Sequence, residues 1–266
     1  MSNTHVMRRL VVAVALLAGA AFPGQASAQF GGPFFPPSQE DYGPGITVSG
    51  VGFAPVGARD RTGARAMGDA RRRAEAIASA LGVSIGEVRA AELTAPFDPR
   101  PAGCGGRPNR RCSPLDAVNV EATFAIVGGP TDSEGAREIE GTGIANGPSE
   151  PSRRNSPAIR RSLRAARLEA SPAAAEAGLA NAQSAAKASG MGLGQLFSVV
   201  EPATFYGYQP LLGVFGAGRF CGFVRRGVFR PDPETHQIRR VRTITRRRCY
   251  SPREVPVSLE LTYLGS

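Results

Sequence analysis

Apolar and polar residues alternate in some segments of this chain and recur with a helical period in others. Segment 46–51 (ITVSGV) is β-branched and alternating, which predicts a strand. Gly82 stands where a helix would end in a left-handed residue. Before it, segment 64–81 carries apolar residues at the spacing of one helix face: Ala70, Ala74, Ile77, Ala78 and Leu81. The pattern therefore predicts a strand followed by an amphipathic helix that stops at a glycine.

Two more strands complete this first unit. Segment 83–93 is predicted as a strand, and Gly86 indicates a bulge or turn near its start. The basic run 71–73 lies on the predicted helix, and we interpret it as a solvated face beside the apolar stripe. Segment 118–127 alternates throughout, which predicts one buried face made of Val118, Val120, Ala122, Phe124 and Ile126.

The same succession of patterns returns in the second half of the chain. Segment 139–143 (IEGTG) matches 48–52 (VSGVG) near the start of each half. Segment 255–265 (VPVSLELTYLG) matches 118–128 (VNVEATFAIVG) at the end of each half. These matches predict a repeated unit rather than a chance likeness, because they occur in the same order.

A second helix is predicted between the matching strands, over residues 157–189. Ser171 and Pro172 indicate an internal cap and restart within it. Gly190 then takes the place that Gly82 has after the first helix. The sequence therefore predicts an α+β fold of two β-α-β-β units, with the helices packed on an antiparallel or mixed sheet.

An insertion at 202–254 interrupts the second unit. It contains two predicted strands, 221–229 and 237–245, joined by the turn sequence PDPE at 231–234. We interpret this segment as a β-hairpin added to the unit. The hairpin holds the densest charge of the chain: Arg239, Arg240, Arg242, Arg246, Arg247 and Arg248.

These arginines have two interpretations. Interleaved with Ile238, Val241 and Ile244, they could present guanidinium groups to phosphate, lipid headgroups or acidic glycans. Alternatively, they could protect an edge strand from aggregation. The formal net charge of the chain is +10, but an arginine-rich composition can also follow from a GC-rich genome. Specific nucleic-acid recognition is not predicted, because the chain has no motif of stacking aromatic residues.

Four cysteines follow the first 28 residues: Cys104, Cys112, Cys221 and Cys249. An even number in an exported chain indicates disulfides, for which three pairings exist. We favour 104–112, within one loop, and 221–249, which would close the predicted hairpin at its base. Zinc is the alternative, but the spacings match no zinc-finger pattern and His236 is not placed to complete such a site.

The N-terminus has the pattern of a secretory signal peptide. Arg8 and Arg9 precede an apolar run at 10–22, and small residues at 26–28 suit cleavage. Export to the periplasm or outside the cell is therefore predicted, with no transmembrane span after cleavage. The predicted organisation is a signal peptide (1–28), a flexible Pro/Gly-rich leader (29–45), a first half (46–128), a linker (129–136) and a second half (137–266).

Catalytic chemistry finds little support in the sequence. His236 is the only histidine after the signal peptide, and it is predicted in a solvated turn, so a serine–histidine–aspartate triad would have to be built there. The glycine-rich segments 50–57 and 141–147 lack both the GxGxxG spacing and a Walker lysine, which favours a structural bend. We predict no catalytic residue, no cofactor and no metal, and hence no enzyme.

The two halves resemble the SIMPL family of bacterial secreted and periplasmic proteins. The resemblance rests on VSGVG at 48–52, on the pattern A-R-x-x-A-x-x-x-A-x-x-L-G running into G-x-V over 70–88, and on the alternating strands at 118–126 and 255–263. It implies an envelope protein linked to stress defence and able to self-associate. It implies no catalytic residues.

Two functions are therefore expected. The first is a structural or stress-protective, non-catalytic role in the cell envelope through self-association as a homo-oligomer. The alternative is a binding module whose hairpin, over 237–248, docks on anionic envelope polymers or on a membrane surface.

Overall fold

The computed structural model describes residues 43–55, 58–94, 115–150, 153–154, 156–202, 211, 213–215 and 218–266. The predicted signal peptide, nearly all of the leader, and the loop with Cys104 and Cys112 lie outside these residues. The described part of the chain forms β1 (Gly45–Pro55), α1 (Arg59–Ala80), β2 (Ile85–Thr94), β3 (Leu115–Ile126), β4 (Glu138–Pro148), α2 (Pro157–Ser189), β5 (Leu193–Val200), β6 (Cys221–Pro231), β7 (Ile238–Cys249) and β8 (Glu254–Gly265).

Six of these strands form one mixed sheet in the order β2-β3-β1-β5-β8-β4, while β6 and β7 form a separate hairpin. The first half contributes β2-β3-β1 and the second half contributes β5-β8-β4, so both halves have the same strand order. Neighbours within each half are antiparallel, and the parallel pair β1–β5 joins the halves. The predicted α+β fold with a mixed sheet and an inserted hairpin is confirmed.

The repeat extends to irregularities of the sheet. Val88 pairs with Phe124 between two register shifts, and Leu196 pairs with Tyr263 between two register shifts. Phe124 therefore corresponds to Tyr263, whereas the sequence pattern matched it with Leu261. The offset is two residues. A two-residue slip leaves every side chain on the same face of a strand, so an alternating pattern cannot detect it.

Glycines allow each helix to lie close against its sheet. A side chain at Gly50 would collide with the α1 backbone at Ala66, and one at Gly143 would collide with the α2 backbone at Ala174. The glycine-rich segments thus serve helix packing inside strands rather than a bend. The main core fills the space between sheet and helices, with Val118, Val120, Ala122 and Phe124 buried as predicted.

Both helices differ from their predicted limits. α1 begins at Arg59 rather than at residue 64, and α2 is one helix with Pro172 inside it. The predicted restart at Ser171 is therefore wrong: Ser171 is fully buried and donates its hydroxyl to the carbonyl of Arg167 at 2.7 Å. Packing along the sheet and the alanines that follow Pro172 keep the helix continuous, because tertiary contacts override local propensity. Gly82 and Gly190 end the two helices with φ of 70° and 69°.

Candidate functional site

The hairpin β6–β7 stands apart from the six-stranded sheet. Its strands pair from Cys221↔Cys249 to Pro231↔Ile238, with one register shift beside Val228. Both strands are longer than the pattern predicted. No residue from Phe223 to Arg248 is buried. The hairpin therefore exposes both faces over most of its length.

The base of the hairpin is covalently closed and anchored. Cys221 and Cys249 form a disulfide, as predicted. The neighbouring Phe220 is buried in a second core cluster with Val51, Phe53 and residues of the first two turns of α2. The ring of Tyr250 stacks on that of Phe215 at 5.8 Å between centroids. The base is thus fixed to the fold.

The far end of the hairpin is an ordered turn. The carboxylate of Asp232 accepts hydrogen bonds from the backbone amides of Glu234 at 3.0 Å and Thr235 at 3.1 Å. These backbone hydrogen bonds lower the pKa of Asp232 from its ordinary value. His236 adopts a positive φ of 55° in the turn and is exposed, in agreement with a solvated turn histidine.

Cross-strand pairing shows where each of the predicted arginines lies on the hairpin. Arg246 lies opposite Val224, and Arg248 lies opposite Gly222, on one face of the ribbon. Arg247 lies opposite Phe223 on the other face. Arg242 pairs with Val228, Arg240 pairs with Phe229 beyond the register shift, and Arg239 forms a salt bridge of 3.0 Å with Asp232 near the turn. All six side chains are exposed.

A groove of about 610 Å³ runs along one face of the hairpin. Its apolar floor is made by Val224, Val228, Phe229 and Ile244, and three arginines line it: Arg226, Arg246 and Arg248. Arg226 was not among the predicted residues. Its position opposite Ile244 follows from the register that the disulfide sets, so the pairing of Cys221 with Cys249 could have identified it.

A second cluster of charged side chains lies where the halves meet. β1 and β5 pair only at Gly45–Thr47 with Ser198–Val200. Just beyond, the Glu201 carboxylate accepts hydrogen bonds from two Arg73 nitrogens at 2.6 Å each and from Arg167 Nη2 at 3.0 Å. The backbone amide of Ser49 on β1 also donates to Glu201, at 3.0 Å. The cluster therefore joins β1, α1, α2 and the end of β5.

Burial would raise the pKa of Glu201, but the charges of Arg73 and Arg167 and the hydrogen bonds of Arg73 and Ser49 hold it well below its ordinary range. Burial is the main cause that lowers the pKa of Arg167, followed by the charge of Arg73, while Glu201 opposes the shift. Glu201 is thus an ionised, fully engaged group that suits fastening the halves together.

The basic run 71–73 was predicted to be solvated, and for Arg73 this is wrong. Arg71 and Arg72 are about half exposed, with 51% and 55% of their side chains accessible, whereas Arg73 is 1% accessible. Arg73 lies three residues after Ala70 and four before Ile77, which places it on the apolar stripe. This spacing in the sequence could therefore have predicted that Arg73 is buried.

The described residues contain neither a metal-binding cluster nor a membrane-spanning helix. These residues contain no group of three or more His, Cys, Asp or Glu side chains that could hold a metal ion. Neither helix of the described chain has the length and apolar character that crossing a membrane requires.

Comparison with known proteins locates the family resemblance. No curated protein and no solved structure matches the chain. A family model described as SIMPL, a protein of unknown function (DUF541), matches residues 43–123. The match covers β1, α1, β2 and most of β3. It does not extend to the second half, whose likeness to the first rests on strand order and register. The family resemblance is therefore shown for residues 43–123 of the chain.

Proposed function

We propose that this chain is an exported, non-catalytic protein of the cell envelope that docks on anionic lipid surfaces through its hairpin. The groove of the hairpin carries the proposal, because it combines an apolar floor with Arg226, Arg246 and Arg248. Guanidinium groups attract lipid phosphates, and apolar side chains enter the boundary between headgroups and acyl chains.

Charge and exposure of the hairpin support this function. The segment from Cys221 to Cys249 contains nine arginines against two acidic residues, Asp232 and Glu234. Several large apolar side chains are exposed near its free end, including Phe229 at 60% and Ile238 at 74%. Each basic residue near an anionic membrane contributes about 1 kcal/mol of attraction. An edge strand that only needed protection from aggregation would not require exposed aromatic residues beside its charges.

Sedimentation of the chain with vesicles tests this function. We expect binding to vesicles that contain phosphatidylglycerol and little binding to phosphatidylcholine alone. The variant R226Q/R246Q/R248Q should lose most of the binding. The matched control R137Q/R153Q/R253Q removes the same charge from exposed positions away from the groove and should bind normally.

Equal loss in both variants would show that net charge, not the hairpin, drives binding, and would overturn the proposal. Retention on heparin without vesicle binding would assign the hairpin to an anionic polymer instead.

A structural or stress-protective role through self-association is the second candidate. Among the described strands, β2 and β4 each pair on one side only, so both ends of the sheet present an unpaired edge. Val88 and Leu93 on β2 are 42% and 60% exposed. Unpaired edges are templates for pairing with another chain. Light scattering should then show oligomers, and a strict monomer over a range of concentrations would remove this candidate.

A further inference from the structure

We propose that a second site, separate from the hairpin, binds a phosphate-type oxyanion between α1 and the start of α2. It is formed by Arg160 and Arg164, which lie over the ring of Phe53, and by three arginines whose charges act on these two. We name this set the Phe53 cluster: Arg65, Arg72, Arg160, Arg164 and Arg219. None of these residues belongs to the groove of the hairpin.

The ring of Phe53 is a buried platform for two guanidinium groups. Cζ of Arg160 lies 5.5 Å from the ring centroid, and Cζ of Arg164 lies 5.4 Å from it. Both arginines come from α2, one turn apart. The backbone of Gly218 packs against the Phe53 ring and the Arg160 side chain, where a larger residue would not fit. The two guanidinium groups are therefore positioned by contacts rather than left free in solvent.

Arginines from α1 complete the cluster. Arg65 Nη1 donates to the carbonyl of Phe53 at 2.8 Å. Arg72 Nη2 lies 3.4 Å from Asp69 Oδ1. The charges of Arg65 and Arg72 act on Arg164, and the charge of Arg219 acts on Arg160. The positive charges of five side chains thus act within this cluster.

Among the described residues, little negative charge acts on Arg160 and Arg164. Asp69 is the carboxylate that acts on Arg164, and it already accepts hydrogen bonds from Arg72 and from the backbone amide of Val51 at 3.2 Å. Among the described residues, neither Arg160 nor Arg164 forms a salt bridge. Nε of Arg164 is buried and has no hydrogen-bond acceptor in the described chain. A buried donor without a partner is costly, which points to an acceptor supplied from outside.

The start of α2 adds to the same field. Its first turn contains no acidic residue, and the side chain of Ser156 at the N-cap makes no capping hydrogen bond. Arg160 instead lies just after that turn, although cations are unfavourable near a helix N-terminus. An anion held by Arg160 and Arg164 would offset both the mutual repulsion of the arginines and the partial positive charge of the helix end.

Phosphate suits this arrangement by its chemistry. The guanidinium fork pairs with two oxygens of a phosphate group, and such charge-assisted hydrogen bonds are stronger than neutral ones. A free phosphate and a lipid headgroup offer the same oxygens. The site is therefore assigned to the phosphate group, and its source is left to experiment.

Calorimetric titration of the full chain with inorganic phosphate, at constant ionic strength set by chloride, tests the site. We expect saturable binding and a phosphate-dependent rise of Tm, because a ligand that binds only the folded state stabilises it. R160Q/R164Q should lose both effects. Arg164→Lys keeps the charge but not the fork and should bind about tenfold more weakly. The hairpin variant R226Q/R246Q/R248Q should bind phosphate normally, so this site and the proposed function can fail separately.

The Tm measured without phosphate shows whether the R160Q/R164Q variant is folded. R160Q/R164Q should have an equal or higher Tm in chloride, since two repelling charges are removed. Vesicles of phosphatidic acid, offered to the hairpin variant with and without R160Q/R164Q, show whether a headgroup can also occupy the site. Absence of saturable phosphate binding by the wild type, or unchanged binding by R160Q/R164Q, would overturn the proposal.

Discussion

Arg73 and Glu201 form a two-point ion pair across the junction of the halves, with both nitrogen–oxygen distances at 2.6 Å. The two residues lie 128 positions apart in the chain. Replacing Glu201 with Gln leaves Arg73 and Arg167 buried beside each other without a counter-charge. We expect the free energy of unfolding in urea to fall by about 3–5 kcal/mol. Glu176→Gln, an exposed change on α2, should alter it by less than about 0.5 kcal/mol. A loss no larger than that of the control would show that the pair does not fasten the halves.

Acid should weaken the fold through the same carboxylate. The pKa of Glu201 in the folded chain lies below the value of about 4.3 for an unperturbed glutamate. Its contribution to stability is therefore complete above about pH 5 and is lost as the pH falls through the folded pKa. Urea unfolding from about pH 7 to about pH 3 should show the wild type approaching Glu201→Gln. A constant difference between the two proteins would contradict this assignment.

Gly50 tests how closely α1 approaches the sheet. A methyl group at Gly50 would collide with the backbone of Ala66, so Gly50→Ala should destabilise the fold by about 1–3 kcal/mol or more. Gly68→Ala is the matched control, because on α1 its nearest contact is the end of the Arg72 side chain at 3.7 Å. That change should stabilise the helix by about 0.5–1 kcal/mol. Thermal unfolding measures both, and effects of the same sign would contradict the packing described.

Loss of the Cys221–Cys249 disulfide should destabilise the hairpin more than it destabilises the six-stranded sheet. A two-stranded ribbon is marginally stable alone, and the described β6–β7 pair has no third strand. The double variant C221S/C249S should therefore exchange amide hydrogens in β6 and β7 much faster, while β1 and β8 stay protected. Vesicle binding should fall in parallel. Protection of β6 and β7 equal to that of the wild type would contradict this expectation.

Local patterns predicted much of this fold. The alanine stripe predicted the buried face of α1, Gly82 predicted its end, and the even cysteine count with a turn sequence predicted the closed hairpin. These features depend on neighbours in the chain, which is what periodicity reports. The parallel pairing of β1 with β5 could not be predicted in this way, because it joins residues about 150 positions apart.

The candidate sites were predicted unevenly for the same reason. Arginines of β7 stood out as a run, whereas Arg226 required the cross-strand register. The Phe53 cluster required two helices and a loop to meet. The burial of Arg73 was not predicted, because the run 71–73 was interpreted as one solvated face although Arg73 has the spacing of the apolar stripe.

The pairing of β1 with β5 inside the chain also indicates how the sheets of two copies of the chain would pair. By strand order and register, β4 corresponds to β1 and β2 corresponds to β5. The two edge strands of the described sheet, β4 and β2, are therefore equivalent to the two strands, β1 and β5, that pair at the internal junction. Asn181 donates to the carbonyl of Thr142 at 2.6 Å, as Arg73 donates to that of Ser49 at 2.8 Å. Leu93 stands at the end of β2 where Glu201 follows β5. A joint that repeated the junction would thus place a neutral amide beside an apolar side chain. Because neither group is charged, the pairing between two copies would be stable to salt and acid. The internal junction contains the Glu201 carboxylate and would be weakened by acid.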